Sequence, residues 1–395
     1  MKSKHKYIGL DVHKDQNQVA IAADGPTGEV RMYGSISNDL HALEKLTRKL
    51  GGEGIVLHFV YEAGPCGFVI ARRLAQLKID CMVVSPSLVP KAAADRVKTN
   101  RRDAMQLARL RRAGELKPIR VPDAGDEAIR DLCRARTDAV KDLRAARFRL
   151  KGFLLRHGYK YSGKSSWTAA HLRYLRELVL ADPAHKVVLE EDLLAITQAG
   201  ERIERLEQAL EPLARAWRWW PVVEALTALR GVQWLTATVL VAEIGDFHRF
   251  GHPRQLMAYL GLVPSEYSTG DHQRQGSITK CGNAHARWFV VEAAQSYRLP
   301  PKVSAGLSQR QENASARVQE ISWKAQVRLH GRFRRLVGRG KRMQKIQVAM
   351  ARELVGFIWA VAREVPTPGA VPPRSAPAPH EPKPTRTERT LARLA

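Results

Sequence analysis

From the N-terminus to Arg112 the apolar positions switch between a period of two and a period near 3.6, and each switch marks an element. Tyr7 to Val12 is a short apolar run. Gln18 to Ala23 and Val30 to Ile36 follow, separated by a Gly-Pro-Thr-Gly turn at Gly25 to Gly28, and the three predict an antiparallel meander. Leu40, Leu43, Leu46 and Leu50 give Asp39 to Leu50 a helical spacing. Ile55 to Tyr61 then predicts a strand, Gly67 to Leu77 a helix, Ile79 to Val84 a strand and Arg101 to Arg112 a helix. Strand signals stop near Asp126. Ala128 to Leu155 is long, charged and helical, and Leu189, Leu193, Ile196, Ile203 and Leu210 follow a heptad-like seam interrupted by Gly200 and Glu207. This pattern predicts a long helical hairpin whose seam serves either a coiled-coil dimerisation arm or a packing face within the chain. Trp217 to Glu364 is mainly helical, with one glycine-punctuated loop from Gly261 to Gly282. From Pro366 onward Pro, Ala, Thr and Arg dominate, a composition that cannot bury a core and predicts disorder.

The expected parts are residues 1–125, a mixed α/β domain; 126–215, a helical region; 216–364, a mainly α domain; and 365–395, a tail. Three strands followed by helix–strand–helix–strand–helix is the element order of the ribonuclease-H-like (RuvC-like) fold, although other α/β folds open similarly. In such a sheet the first and fourth strands are neighbours and the last helix crosses them. Asp11 lies inside the first strand among apolar residues, where a carboxylate is costly unless paired or bound to a cation. Glu62 ends the fourth strand. Asp103 opens the last helix on the same face as Leu107 and Leu110, and Asn100 stands three residues earlier. The fold would bring Asp11, Glu62 and Asp103 together. Oxygen ligands in such a cluster suit Mg2+ or Mn2+, and two such ions about 4 Å apart clamp the attacking and leaving oxygens of a phosphodiester. His13 reads as a surface residue.

Charge narrows the partners. Lys and Arg number 65 against 39 Asp and Glu, a formal net charge of +26, which attracts polyanions, nucleic acid above all. Hydrophobic residues at 44% suffice for real cores. No apolar run is long enough to span a bilayer, and the basic N-terminus lacks a cleavable hydrophobic stretch, so a cytoplasmic, membrane-independent protein is expected. The four cysteines, Cys66, Cys81, Cys133 and Cys281, lack metal-ligand spacing and read as reduced thiols. Arg332, Arg334, Arg335, Arg339, Lys341 and Arg342 crowd one short stretch around Phe333 and predict a phosphate-tracking surface. Arg101 and Arg102 flank Asp103 and would hold phosphates there, while Arg274 and Lys280 lie in the glycine-punctuated loop.

Several segments resemble one family. They are Tyr-Ile-Gly-Leu-Asp-Val-His-Lys at Tyr7 to Lys14, Tyr-Glu-Ala-Gly at Tyr61 to Gly64, and Val-Lys-Thr-Asn-Arg-Arg-Asp-Ala at Val97 to Ala104. Further along are Leu-Arg-Gly-Val-Gln at Leu229 to Gln233, Ala-Glu-Ile-Gly-Asp at Ala242 to Asp246, Tyr-Leu-Gly-Leu-Val-Pro at Tyr259 to Pro264, Tyr-Ser-Thr-Gly at Tyr267 to Gly270 and Gly-Ser-Ile-Thr-Lys-Cys-Gly-Asn at Gly276 to Asn283. In this order the chain resembles the DEDD-type insertion-sequence transposases, relatives of the Piv invertase described as bridge-RNA-guided recombinases. The resemblance covers all but the tail. It implies a metal-binding tetrad at Asp11, Glu62, Asn100 and Asp103, with a neutral Asn where the family carries an acid. It also implies a serine nucleophile, matched here by Ser268 with Ser277 as runner-up, activated in a composite active site by metal-bound carboxylates. The implied partners are DNA, a guide (bridge) RNA and further copies of the chain, as a dimer or tetramer. The residues alone leave three other readings: a metal-dependent Holliday-junction-type nuclease, a non-catalytic nucleic-acid-binding protein, and, last, a sugar-kinase-like ATPase.

Overall fold

The computed structural model describes residues 4–90, 99–269, 272 and 274–368. Val97, Lys98 and Gly270 of the family-like segments, and the tail beyond Pro368, lie outside the described residues. The chain divides between Ala124 and Gly125 into two compact units.

The first unit is built on a five-stranded sheet of β1 (Lys4–Val12), β2 (Gln16–Ala23), β3 (Val30–Ser37), β4 (Ile55–Glu62) and β5 (Asp80–Val84), in the order β3-β2-β1-β4-β5. β1 is antiparallel to β2 and parallel to β4, so the first and fourth strands are neighbours. The helices are α1 (Leu40–Leu50), α2 (Val69–Gln76) and α3 (Asn100–Ala113). Period-two alternation gives the sheet two unlike faces. On one, Ile8, Leu10, Phe59 and Tyr61 pack with Leu43 and Leu46 of α1 and Ile70 and Leu74 of α2. On the other, Ala20 and Ala22 pack with Ala104 and Ala108 of α3, and Val60 packs with Leu107 and Leu110.

The small residues on that second face determine how close α3 can come. A Cβ placed on Gly9 would overlap the carbonyl oxygen of Ala104 and stand 2.7 Å from the amide nitrogen of Ala108. Gly9→Ala must therefore push α3 off the sheet, and we expect a loss of about 1–3 kcal/mol, the usual range for overpacking. Thermal unfolding checks this; an unchanged melting temperature would contradict so close an approach.

The second unit begins with a helical hairpin, α4 (Ala124–Arg156), α5 (Ala169–Glu177) and α6 (Pro183–Ala216). Leu189 and Ile196 of the predicted seam pack onto Leu150, Phe153 and Leu154 of α4, so the seam is an intramolecular face here. Glu207, which interrupts the seam, accepts hydrogen bonds from Arg136 of α4. Ile129, Cys133 and Leu210, at the base of the hairpin, belong to the same core as the helices that follow. Those are α7 (Trp220–Thr227), α8 (Trp234–Ile244), α9 (Pro253–Tyr259), α10 (Ala284–Ala294), α11 (Ala305–Gln311), α12 (Ala316–Gly338) and α13 (Met343–Arg363). The segment predicted as a loop differs from expectation. It holds a short antiparallel pair, β6 (Pro264–Glu266) and β7 (Gln275–Ile278). Neither strand alternates apolar with polar residues: Glu266 and Gln275 to Ser277 are exposed, and Ile278 packs against the helical core. No helix among the described residues is long and apolar enough to cross a membrane.

Candidate functional site

Sheet register brings the first two predicted carboxylates together. Leu10 pairs with Tyr61 in the parallel ladder, so Asp11 and Glu62 follow at adjacent positions where β1 and β4 end. Asp11 lies two residues past Gly9, and Glu62 two past Val60, so both belong to the face covered by α3. The direction of α3 brings in the third. Arg112, near its C-terminus, donates to the carbonyl of Ala23, which pairs with Lys6 at the start of β1. The N-terminal turn of α3, with Asn100 and Asp103, therefore lies toward the end of β1 where Asp11 stands. Thr99 caps this turn, its side chain accepting from the Arg102 amide at 3.4 Å, and Asp103 in the first turn complements the helix dipole. Arg101 and Arg102 are exposed beside it.

The donors are all oxygens, three carboxylates and one amide carbonyl, a set that fits Mg2+ or Mn2+ and excludes the softer metals. Among the described residues, however, no three His, Cys, Asp or Glu side chains are grouped closely enough to hold one ion. His13, expected to be a surface residue, is exposed but also holds Asp11, with Nε2 3.0 Å from Oδ2.

The predicted serine sits in the second unit on the β6–β7 connection. The Tyr267 amide donates to the Arg274 carbonyl at 2.9 Å, which continues the ladder past Glu266. Ser268 is exposed, and its Oγ donates to Glu266 Oε1 at 2.7 Å. Sequence reasoning missed Glu266; its two-residue offset from Ser268, which places both on one side of an extended strand, is the signal that finds it. Ser277 is also exposed, but its carbonyl accepts from Ser265 Oγ and its hydroxyl has no comparable carboxylate partner among the hydrogen bonds described. Gly282 closes the hairpin with φ near +75°, and a Cβ there would overlap the Tyr259 carbonyl oxygen.

A second missed residue lies below this hairpin. Glu243 is the one charged residue of the largely apolar helix α8, the same signal that picked out Asp11, and its side chain is 1% exposed. Its oxygens accept from Arg134 at 2.7 and 2.9 Å, Asn283 Nδ2 at 2.7 Å and His285 Nδ1 at 2.8 Å. Burial pushes its pKa up, but the hydrogen bonds from His285, Arg134 and Asn283 outweigh this and hold it at about 2. The carboxylate thus ties α4 to the end of the serine hairpin.

Residues 223–308 match the Transposase IS116/IS110/IS902 family, and residues 8–158 match a second family model, a transposase of the DEDD, IS110 type. The putative transposase y4qE of Sinorhizobium fredii is 44% identical over 361 residues, covering 91% of this chain and 89% of that protein. The chain belongs to the IS110 family of transposases. The transposase for insertion sequence element IS1533 of Leptospira borgpetersenii is a more distant relative, 28% identical over 342 residues, which cover 86% of this chain and 99% of that one. As an IS110-family transposase the chain is an enzyme that cuts and rejoins DNA, and transposases of the DEDD type work with a divalent metal.

Cations of this transposase gather at the end of α12 and in its connection to α13, where Arg334, Arg335, Arg339, Lys341 and Arg342 are all exposed. Arg332 is less available: it shares the Glu353 carboxylate with Arg328, each at 2.9 Å. Arg274 and Lys280 are exposed on either side of β7. Neutralising Arg334, Arg335 and Arg339 together is expected to weaken DNA binding on every sequence. It should flatten the plot of log affinity against log salt by roughly 0.9 for each phosphate no longer neutralised. A titration across salt concentrations checks this, and an unchanged slope would make the stretch a solvated surface.

Proposed function

We propose that this transposase breaks and rejoins DNA through a covalent link to Ser268, with Asp11, Glu62, Asp103 and the Asn100 carbonyl holding the divalent metal, Mg2+ or Mn2+, on a ribonuclease-H-like sheet. The observation that carries the first half is the register of β1 and β4, which makes Asp11 and Glu62 neighbours on the face that α3 covers. The observation that carries the second is the 2.7 Å hydrogen bond from Ser268 Oγ to Glu266 on an exposed hairpin.

In the serine step, Oγ forms a bond to phosphorus and one phosphorus–oxygen bond to the deoxyribose breaks. The Oγ proton passes to Glu266, and the departing sugar oxygen takes up a proton from solvent water as it leaves. Rejoining runs the same exchange backwards, with the sugar hydroxyl of the new strand as nucleophile, so the phosphodiester's reactivity is kept between the two steps. Held by Asp11, Glu62, Asp103 and the Asn100 carbonyl, a divalent metal would supply charge neutralisation to a phosphate bound there. Arg101 and Arg102, exposed beside Asp103, hold the DNA backbone near these carboxylates through charge-assisted hydrogen bonds. A guide RNA choosing the DNA partners, and assembly into a dimer or tetramer, belong to the same proposal; the excess of exposed cations supports a second nucleic acid.

The test is strand exchange between two labelled duplexes copied from the ends of the insertion sequence that carries the gene, run with the RNA that copurifies with the chain. Recombinant strands are expected with Mg2+ or Mn2+, and none after chelation. Cleaved strands that are never rejoined would favour the Holliday-junction-type nuclease.

A further inference from the structure

A cleft of about 600 Å3 opens in the second unit between α4 and the first turns of α10. Arg134, Thr137, Asp138 and Lys141 line it from α4, and His285 and Trp288 from α10. Gly282 and Asn283, at the end of the serine hairpin, also line it, but it contains none of the residues assigned to cleavage. We propose that this cleft binds one unpaired nucleobase of the nucleic acid on which the transposase acts, stacked on Trp288. The proposal rests on the chain's membership of a DNA-acting family.

Three observations point to a base rather than a phosphate. The first is charge. On a chain with a net charge of +26 this cleft is nearly neutral, because each cation in it has its own carboxylate. Arg134 is held by Glu243, and Lys141 Nζ lies 2.8 Å from Asp138 Oδ1. A phosphate entering here would compete with both carboxylates, whereas a neutral base would not. The second is Trp288, an indole 43% exposed beside the buried Phe289 and Val290 of the same helix. Its ring meets the buried Phe289 edge to face, with centroids 4.8 Å apart, which fixes the indole without covering it. Every base has a π-face, so an anchored, exposed indole is a stacking platform.

The third is the mixture of donors and acceptors. His285 Nδ1 must donate to the ionised Glu243, and its Nε2 lies 2.9 Å from Thr137 Oγ1, so the floor of the cleft is held in one arrangement. Above that floor the heads of Asp138 and Lys141 remain largely exposed and that of Arg134 half-exposed, one acceptor and two donors that can meet the edge of a base. A base reaches such a cleft only when it is out of the duplex, single-stranded or flipped.

The probes are fluorescently labelled 12-nucleotide strands of oligo(dT) and oligo(U), a 12-unit abasic deoxyribose phosphate strand, and duplex DNA, each titrated with the full chain. Trp288→Ala is expected to weaken binding of oligo(dT) or oligo(U) roughly tenfold, within the range for removing one base–aromatic stack, and to leave the abasic strand unaffected. Trp288→Phe should retain most of the affinity. A loss on oligo(dT) assigns the cleft to DNA, and a loss on oligo(U) assigns it to RNA. Equal affinity of Trp288→Ala and wild type for both base-bearing strands overturns the proposal, as does an equal loss on the abasic strand. Duplex binding by the wild-type chain reports on the DNA-acting function alone, so intact duplex binding without a tryptophan effect sinks the cleft and spares the function.

Discussion

Asp11→Ala, Glu62→Ala and Asp103→Ala are each expected to lower strand cleavage by roughly a thousandfold or more, the scale of losing several kcal/mol of charge stabilisation at a transferring phosphate. Folding and DNA binding should persist. Asp11 and Glu62 stand at strand ends and Asp103 in the first turn of a helix, outside the apolar clusters on either face of the sheet. Cleavage of a labelled duplex, measured beside circular dichroism and a binding titration, separates chemistry from folding. Asn100→Asp is expected to keep or raise activity, most visibly at low Mg2+, because it adds a charged ligand. Wild-type cleavage by any of the three alanine variants would remove that carboxylate from the site.

Ser268→Ala should abolish strand exchange, by on the order of 10⁴-fold or more, the scale seen when a covalent nucleophile is removed. Binding of DNA and metal should be unchanged, since the side chain is exposed and its described hydrogen bond is to Glu266. Glu266→Gln keeps an acceptor at the same place but removes the carboxylate that takes the proton, so it should slow exchange without abolishing it. Gel-resolved exchange products check both variants. Exchange by Ser268→Ala at the wild-type rate would move the nucleophile elsewhere.

The five-stranded sheet was legible because its strands are short apolar runs, buried on both faces, that end at turn residues. The errors there are of one to three positions, as at Lys4, where charged residues join the sheet through main-chain pairing with β4. The common face of Asp11 and Glu62 follows from the alternation of side chains along a strand once the strand order is known. The β6–β7 pair was not legible: Pro-Ser-Glu and Gln-Gly-Ser-Ile carry no period, and the contacts that hold them, main-chain pairing, Ser265 Oγ on the Ser277 carbonyl and Ile278 on the helical core, exist only in the folded chain. Glu207 read as a break in the seam because its partner, Arg136, lies 71 residues away on another helix. Glu243 stands in the Ala-Glu-Ile-Gly-Asp motif, yet its role depends on Arg134, Asn283 and His285, which meet only in the folded chain.

The serine assignment is tested most directly by trapping the protein on DNA. The wild-type chain is incubated with a duplex nicked near the cleavage position, so that a strand released by cleavage diffuses away and rejoining fails. The covalent species is then digested and the modified peptide mapped by mass spectrometry. A nucleotide phosphate is expected on Ser268. A nucleotide on Ser277 would contradict the assignment to Ser268, and the absence of any protein–DNA adduct from a reaction that cuts the duplex would contradict covalent serine chemistry altogether.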